Sequence, residues 1–275
     1  MTITRRRLLP ALLLSLTLSL PVRATVLYVD VNSPGAVPPY ADWNSAATNI
    51  QDAIDAAVAG DTVLVTNGVY AVGGKVMAGN LTNRIALDKP LTVMSVNGPL
   101  LTTVAGVGAT NGNGAVRCAW LTNGAVLQGF TLTAGATRTS GDITNLQSGG
   151  GVLCLSSNAL IRNCLVISNV ANSYGGGQYQ GSLMNCGLIG NRTTPGGSAA
   201  AFASLLNCTV VSNLSSSPLH YGKLTNCIVY YNFATASIQT IYSYCCTYPL
   251  PAGTGNISNA PLLLGDALHL TSASP

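Results

Sequence analysis

The 275-residue sequence predicts an all-β chain: a parallel β-solenoid with one short amphipathic capping helix near its N-terminus. Three observations predict it. Charged residues make up only 7% of the chain, against roughly 25% in an ordinary soluble domain, and glutamate is absent. All eight acids are aspartates, at 30, 42, 52, 55, 61, 88, 142 and 266, which excludes helical bundles laced with Glu–Lys pairs. Thirty glycines, 13 prolines and 48% apolar residues fit many short strands joined by turns, and exclude disorder. Finally, one nine-residue pattern recurs four times at nearly constant spacing.

Residues 1–24 read as a secretory signal peptide. Arg5, Arg6 and Arg7 form a positive start, Leu8 to Leu20 an apolar core, and Val22-Arg23-Ala24 a cleavage site before Thr25. The apolar core, broken by Pro10, is shorter than the ~20 residues that span a bilayer. Arg5-Arg6 also hints at a twin-arginine signal, though an ordinary secretory signal fits better. No later stretch reads as a transmembrane segment, so a secreted or cell-surface protein is expected. Four of the 12 Lys and Arg residues precede the cleavage site, leaving eight against eight aspartates. The mature chain is formally neutral, and its composition implies neither an acidic partner nor nucleic acid.

Residues 25–61 read as an N-terminal cap holding the single helical period. Ile50, Ala53, Ile54, Ala57 and Val58 recur at i, i+3, i+4, i+7 and i+8, which predicts a helix over about 49–59. Thr48 or Asn49 suits its start, Asp52 its first turn and Gly60 its end. Asp52 and Asp55 lie on the polar face of this helix, where a solvated pair is expected rather than an acid–base couple.

From Thr62-Val63-Leu64-Val65 onward the chain reads as strand, turn, strand, and residues 62–250 are expected to form the coils. The repeats are Ile161 to Asn169, Leu183 to Asn191, Leu205 to Asn213 and Leu224 to Asn232, with Leu127 to Leu132 a weaker copy carrying Phe130 where the others carry cysteine. In every full copy the residues two before, one after and three after the first Asn are apolar. The residue just before it is Arg, Met, Leu or Thr, and should face solvent. Such alternation about a bend describes two short strands meeting at a turn. A unit this short buries its apolar side only by stacking on its neighbours.

These residues resemble the parallel β-helix proteins of the pectin-lyase-like superfamily, especially large secreted bacterial β-helix proteins. Leu27 to Asp30, the helix and Gly60 to Val63 resemble that family's cap, Leu91 to Gly98 its early coils, and Cys245 to Pro261 the end of its coil domain. The resemblance implies a right-handed parallel β-helix. It also implies an asparagine ladder, formed by Asn163, Asn185, Asn207 and Asn226 at one bend. Asn169, Asn191, Asn213 and Asn232 suit the next bend, and either column serves as structure or as a row of polar ligands for a glycan.

Cys164, Cys186, Cys208 and Cys227 should face inward as a column of buried thiols. No metal is expected there, since one ligand per ~4.8 Å step along a line makes a poor tetrahedron. Cys245 and Cys246 are adjacent and cannot both face inward. One of them is therefore expected to form a disulfide, with Cys118 or Cys154 as the partner.

The resemblance implies two chemistries, carboxylate-pair hydrolysis and calcium-assisted lysis of acidic polysaccharide. Between Arg117 and Pro249 the only acid is Asp142, too few for either. Arg138 and Asp142, in the insertion between Ala136 and Ser148, with Arg162 and Arg192, are the weak candidates for a lyase site. His220 and His269 lie in no triad signature. The expectation is an exported, monomeric, non-catalytic β-helix that serves as a surface or glycan-binding module, without cofactor. The alternative is a pectate-lyase-like enzyme, which would need calcium. Residues 251–275 read as a C-terminal tail, the start of a truncated continuation.

Overall fold

The computed structural model describes residues 24–108, 110–264 and 270–274, so the predicted signal peptide before Ala24, and His269, lie outside the described residues. The chain is a parallel β-helix. It lays down strands on three faces in rotation. The first face has nine strands, from Val26–Val29 to Ile241–Ser243. The second has eight, from Gly68–Tyr70 to Cys246–Thr247, and the third seven, from Lys75–Val76 to Leu219–His220. Within these faces every pairing is parallel except the Lys75–Val76 hairpin with Thr82–Leu87. The stack starts one strand earlier than the sequence suggests, because Val26–Val29, read as cap, pairs in register with Thr62–Val65.

In-register pairing turns each apolar position into a column. On the first face Val93, Leu127, Ile161, Leu183, Leu205 and Leu224 are stacked and buried. On the second, Val104, Leu132, Val166, Leu188, Val210 and Val229 do the same. Each such side chain contributes about 1.5–3 kcal/mol of burial. The predicted inward positions of the repeat are therefore the walls of the core.

The bends are built from single residues at positive φ between extended neighbours. At the first bend these are Asn163 (52°), Asn185 (54°), Asn207 (53°) and Asn226 (53°), with Gly129 (80°) in the earlier coil. Asparagine and glycine are the residues that enter this region most readily. The second bend uses Ser168, Gly190, Ser212 and Tyr231, and the next residue, always Asn, turns inward. Asn191 Nδ2 donates to the Val166 carbonyl (2.8 Å) and to Asn213 Oδ1 (3.1 Å), while its Oδ1 accepts from Asn169 N and Nδ2 (both 3.0 Å). Asn169, Asn213 and Asn232 join the same chain of bonds, which Gly135 N extends to the previous coil. The coil length is 34 residues from Gly135 to Asn169, then 22 and 22, then 19 to Asn232. Loops shrink while the amide column stays in step.

The helix α1 spans Ile50–Ala56 and stops one turn short of the predicted end. Asn49 caps it by accepting from Asp52 N (3.0 Å). Two side chains end it early. Asp61 accepts from Val58 N and Thr25 N (both 2.8 Å), and Lys89 Nζ donates to the Ile54 and Ala57 carbonyls (both 2.9 Å). Asp55 pairs with Lys75 (2.9 Å), which also holds Asp88 (2.7 Å).

The two asparagine columns should respond differently to truncation. Asn191→Ala strands buried donors and acceptors on both sides and should lower unfolding free energy by on the order of 3 kcal/mol, read from urea melts. Asn185→Gly, at an exposed bend that glycine enters freely, should cost under about 1 kcal/mol.

Candidate functional site

A concavity lies along the first bend. It encloses about 680 Å³, lined by Asn163, Asn185 and Asn207 with Cys164, Leu165, Cys186, Gly187 and Thr209, and walled by Asn97, Pro99, Leu100 and Leu101. The wall belongs to the loop between strands Thr92–Ser95 and Thr102–Ala105. It is anchored by Gly98 N to Ser95 Oγ (3.0 Å) and Thr131 Oγ1 to the Pro99 carbonyl (2.7 Å). Leu100 is 83% exposed. The floor amides are tied lengthwise, Asn185 Nδ2 to Asn163 Oδ1 (3.3 Å) and Asn207 Nδ2 to Asn185 Oδ1 (3.2 Å). Among the described residues Asn163 Nδ2 and Asn207 Oδ1 have no partner, so the row ends with a free donor and a free acceptor. Asn226 continues the bend column outside the groove lining. No lining residue carries a formal charge.

The four lyase candidates are distributed differently. Arg138 donates to the Asn113 carbonyl (3.1 Å) and Asn113 Oδ1 (2.7 Å), joining two loops. Asp142 accepts from Asn145 N (2.6 Å) and Asn145 Nδ2 (3.0 Å), closing its own turn. Arg162, on the first face, donates to Gln128 Oε1 (2.6 Å). Arg192 lies on a two-stranded sheet beside Val170, at the second bend. Among the described residues no hydrogen bond or ion pair joins any two of them, and none lines the groove.

The arginine with the most to hold is Arg117, whose role no sequence motif signals. It is buried without a carboxylate and donates to Asn83 Oδ1, and to the carbonyls of Asn145, Ser148 and Gly149, all at 2.7–2.8 Å. Burial pulls its pKa down to about 9, so it remains charged at neutral pH. It is the post around which the insertion between Ala136 and Ser148 is folded.

The thiol column runs from Cys164 through Cys186, Cys208 and Cys227 to Cys245, all buried. Burial pushes the Cys164 thiol up to about 12, and neighbouring thiols in the column push Cys208, Cys227 and Cys245 upward as well. All eight cysteines are free, which corrects the expected disulfide. Cys245 continues the column, with Cys227 N donating to its Sγ (3.4 Å). Cys118 is engaged instead with the Thr133 carbonyl (3.1 Å) and Asn169 Oδ1 (3.4 Å), and Cys154 packs against Gly181. Cys246 is half-buried on the outside.

The third face carries an outward column that sequence reasoning missed. Ala86, Trp120, Leu153, Tyr179, Ala201 and His220 are paired rung to rung. Beside it Tyr174, Phe202 and Tyr221 complete a cluster of rings, with Phe202 5.1 Å from Tyr221 and His220 4.8 Å from Tyr221 between ring centroids. The signal was present. Offsetting the sequence by the cysteine spacings of 22 and 19 residues aligns Gln180 with Phe202 and Tyr221, and Tyr179 with Ala201 and His220.

No protein-family model and no curated protein sequence matches the chain. Among solved structures it is similar to the crystal structure of pectate lyase Pel9A, with a TM-score of 0.49 and 14% identity over 83% of this chain and 61% of that one. The chain thus spans about three-fifths of the length of that lyase. It is also similar to a putative glycosyl hydrolase from Parabacteroides merdae ATCC 43184, with a TM-score of 0.28 and 14% identity over 68% of this chain and 83% of that one. Among the described residues no helix is long and apolar enough to cross a membrane.

Two measurements probe this framework. Arg117→Met leaves three carbonyls and an amide oxygen without their donor, so limited proteolysis should cut between residues 138 and 147 at least roughly tenfold faster than in the parent protein. Thiol titration of the folded, reduced protein should find Cys246 the first to react, more slowly than an unhindered thiol because burial raises its pKa, and all eight cysteines only after denaturation.

Proposed function

We propose that the chain is an exported, non-catalytic glycan-binding β-helix whose first-bend groove takes a strand of uncharged polysaccharide. The observation that carries this reading is the groove itself, with an amide floor, an apolar wall and no formal charge in its lining. Carboxamides donate to and accept from sugar hydroxyls, while Leu100 and Leu101 offer apolar surface to the C–H face of a sugar ring. The floor amides repeat at the rung spacing of ~4.8 Å, on the scale of one pyranose unit, so successive coils present equivalent contacts to successive sugars. A polyuronate would instead need cations to meet its carboxylates.

Export rests on the sequence features of residues 1–24. Lysis of acidic polysaccharide, the alternative, requires Arg138, Asp142, Arg162 and Arg192 to act at one place. Asp142 is bonded within its own turn, and Arg162 and Arg138 are bonded to amide groups of neighbouring coils and loops. The other described aspartates all lie between residues 30 and 88, at the capped end.

The test is a double variant, Asn185→Gly with Asn207→Gly, which keeps the bend conformation and removes the floor. Its affinity for soluble neutral oligosaccharides, by calorimetry, should fall roughly tenfold while its melting temperature changes little. Unchanged affinity, or release of unsaturated product from polygalacturonate by the parent protein, would contradict the reading.

A further inference from the structure

We infer that the ring cluster on the third face is a second carbohydrate site, a stacking platform for the pyranose rings of an uncharged polysaccharide, separate from the groove. It rests on the reading that the protein binds glycans, but on different residues. Tyr179, Phe202 and His220 sit on three successive coils, and Tyr174 and Tyr221 flank them. Phe202 and Tyr221 are 41% and 47% exposed, and their rings lie within 7° of parallel. Tyr179 also packs against Trp120 and Leu153 of the preceding coils, which are themselves buried. The result is a strip of aromatic surface along the axis of the solenoid.

Backbone conformation separates this strip from ordinary packing. Phe202 and Tyr221 occupy the positive-φ position of the third bend, at 55° and 51°. Large side chains are disfavoured there, and the equivalent positions in neighbouring coils hold Gln180 and Gln239. The other ring-bearing residues at positive φ are accounted for locally, and Tyr40 among them is buried. The Tyr231 hydroxyl donates to the Pro261 carbonyl (2.8 Å), and Tyr244 packs on Gly255. Among the described residues the side chains of Phe202 and Tyr221 make no hydrogen bond to another segment. They are kept in a strained conformation while half their surface stays in water.

The chemistry of the strip selects its ligand. Aromatic faces and edges pack against the C–H faces of sugar rings. Among the described residues the hydroxyls of Tyr174, Tyr179 and Tyr221 have no hydrogen-bond partner, so they are free for sugar hydroxyls. His220 is depressed below its ordinary pKa by burial and is neutral at pH 7, so the rings present no charge to an anionic chain. The rung repeat of ~4.8 Å again matches the scale of one sugar unit, which favours a long chain laid along the axis over a single small molecule.

The experiment is retention of the mature protein on insoluble cellulose, mannan and chitin, with polygalacturonate gel as the charged comparison. The variants are Phe202→Asn with Tyr221→Asn, and, separately, Asn185→Gly with Asn207→Gly. Asparagine suits positive φ, so the ring variant should keep or raise its melting temperature while its retention on the neutral polymer falls roughly tenfold. Its calorimetric affinity for short soluble oligosaccharides in the groove should stay unchanged. Loss of melting temperature without loss of retention would overturn the proposal and make the rings structural packing. So would retention on polygalacturonate alone, or no retention on any neutral polymer. A parent protein that self-associates, with the ring variant monomeric and retention unaltered, would assign the strip to contact between copies. If only the groove variant loses binding, the groove reading stands and the platform falls.

Discussion

At the second bend of each full repeat one asparagine must turn into the core, and the rest of the coil is arranged to satisfy it. A carboxamide in an apolar interior costs several kcal/mol unless its donors and acceptor are all engaged. Asn191 meets that requirement only through the coils on either side, with Val166 O below it and Asn213 Oδ1 above. Such a bond network forces the coils into one register, because a slip of a single residue would bury several unpaired polar atoms at once. It explains why coil length falls from 34 to 22 to 19 residues with no loss of alignment. Length is removed from loops that face solvent, and the amide column is untouched.

With register secured by the inward column, the outward side of each bend is free to vary. The first bend uses that freedom for a uniform row of exposed asparagines, the third for a row that changes from Gln180 to Phe202 to Tyr221. Both rows sit at positive φ, so each side chain is presented at the same angle one rung above the last. A stacked coil therefore converts sequence variation at one position into a linear surface pattern. That is the geometric property a linear polymer can read.

The parts visible in the sequence and the parts hidden from it divide along the same line. The cysteines and first-column asparagines recur with fixed offsets, and the alternation around them specified which side chains enter the core. The ends of α1 were harder, because Asp61 and Lys89, distant in sequence from the helix start, capture its last turn. The floor of the groove is legible as the first asparagine column, whereas its wall is not, because it comes from a loop two coils before the first full repeat. Arg117 offered no signal either, since its partners are mostly backbone carbonyls, which carry no residue identity. The ring strip was legible in principle. It needed the repeat offsets to be applied to the weakly patterned third face, where strands are two residues long and apolar alternation has no room to develop.

Charge follows the same architecture. Six of the described aspartates and both described lysines before residue 100 lie in the first three coils, where Asp61 and Lys89 hold the end of α1 and Lys75 joins Asp55 to Asp88. Besides them the described chain carries only Asp142, Lys223 and five arginines as charged groups, set among amides, hydroxyls and rings. Water competes well for an isolated hydroxyl–amide bond, so no single contact on such a surface confers much affinity. Repetition changes the outcome, because each further rung adds its contact after the first has already fixed the polymer in place. Weak neutral contacts, spaced by the rise of a β-strand, thus suit an extended uncharged chain far better than a compact ligand that can touch only one coil.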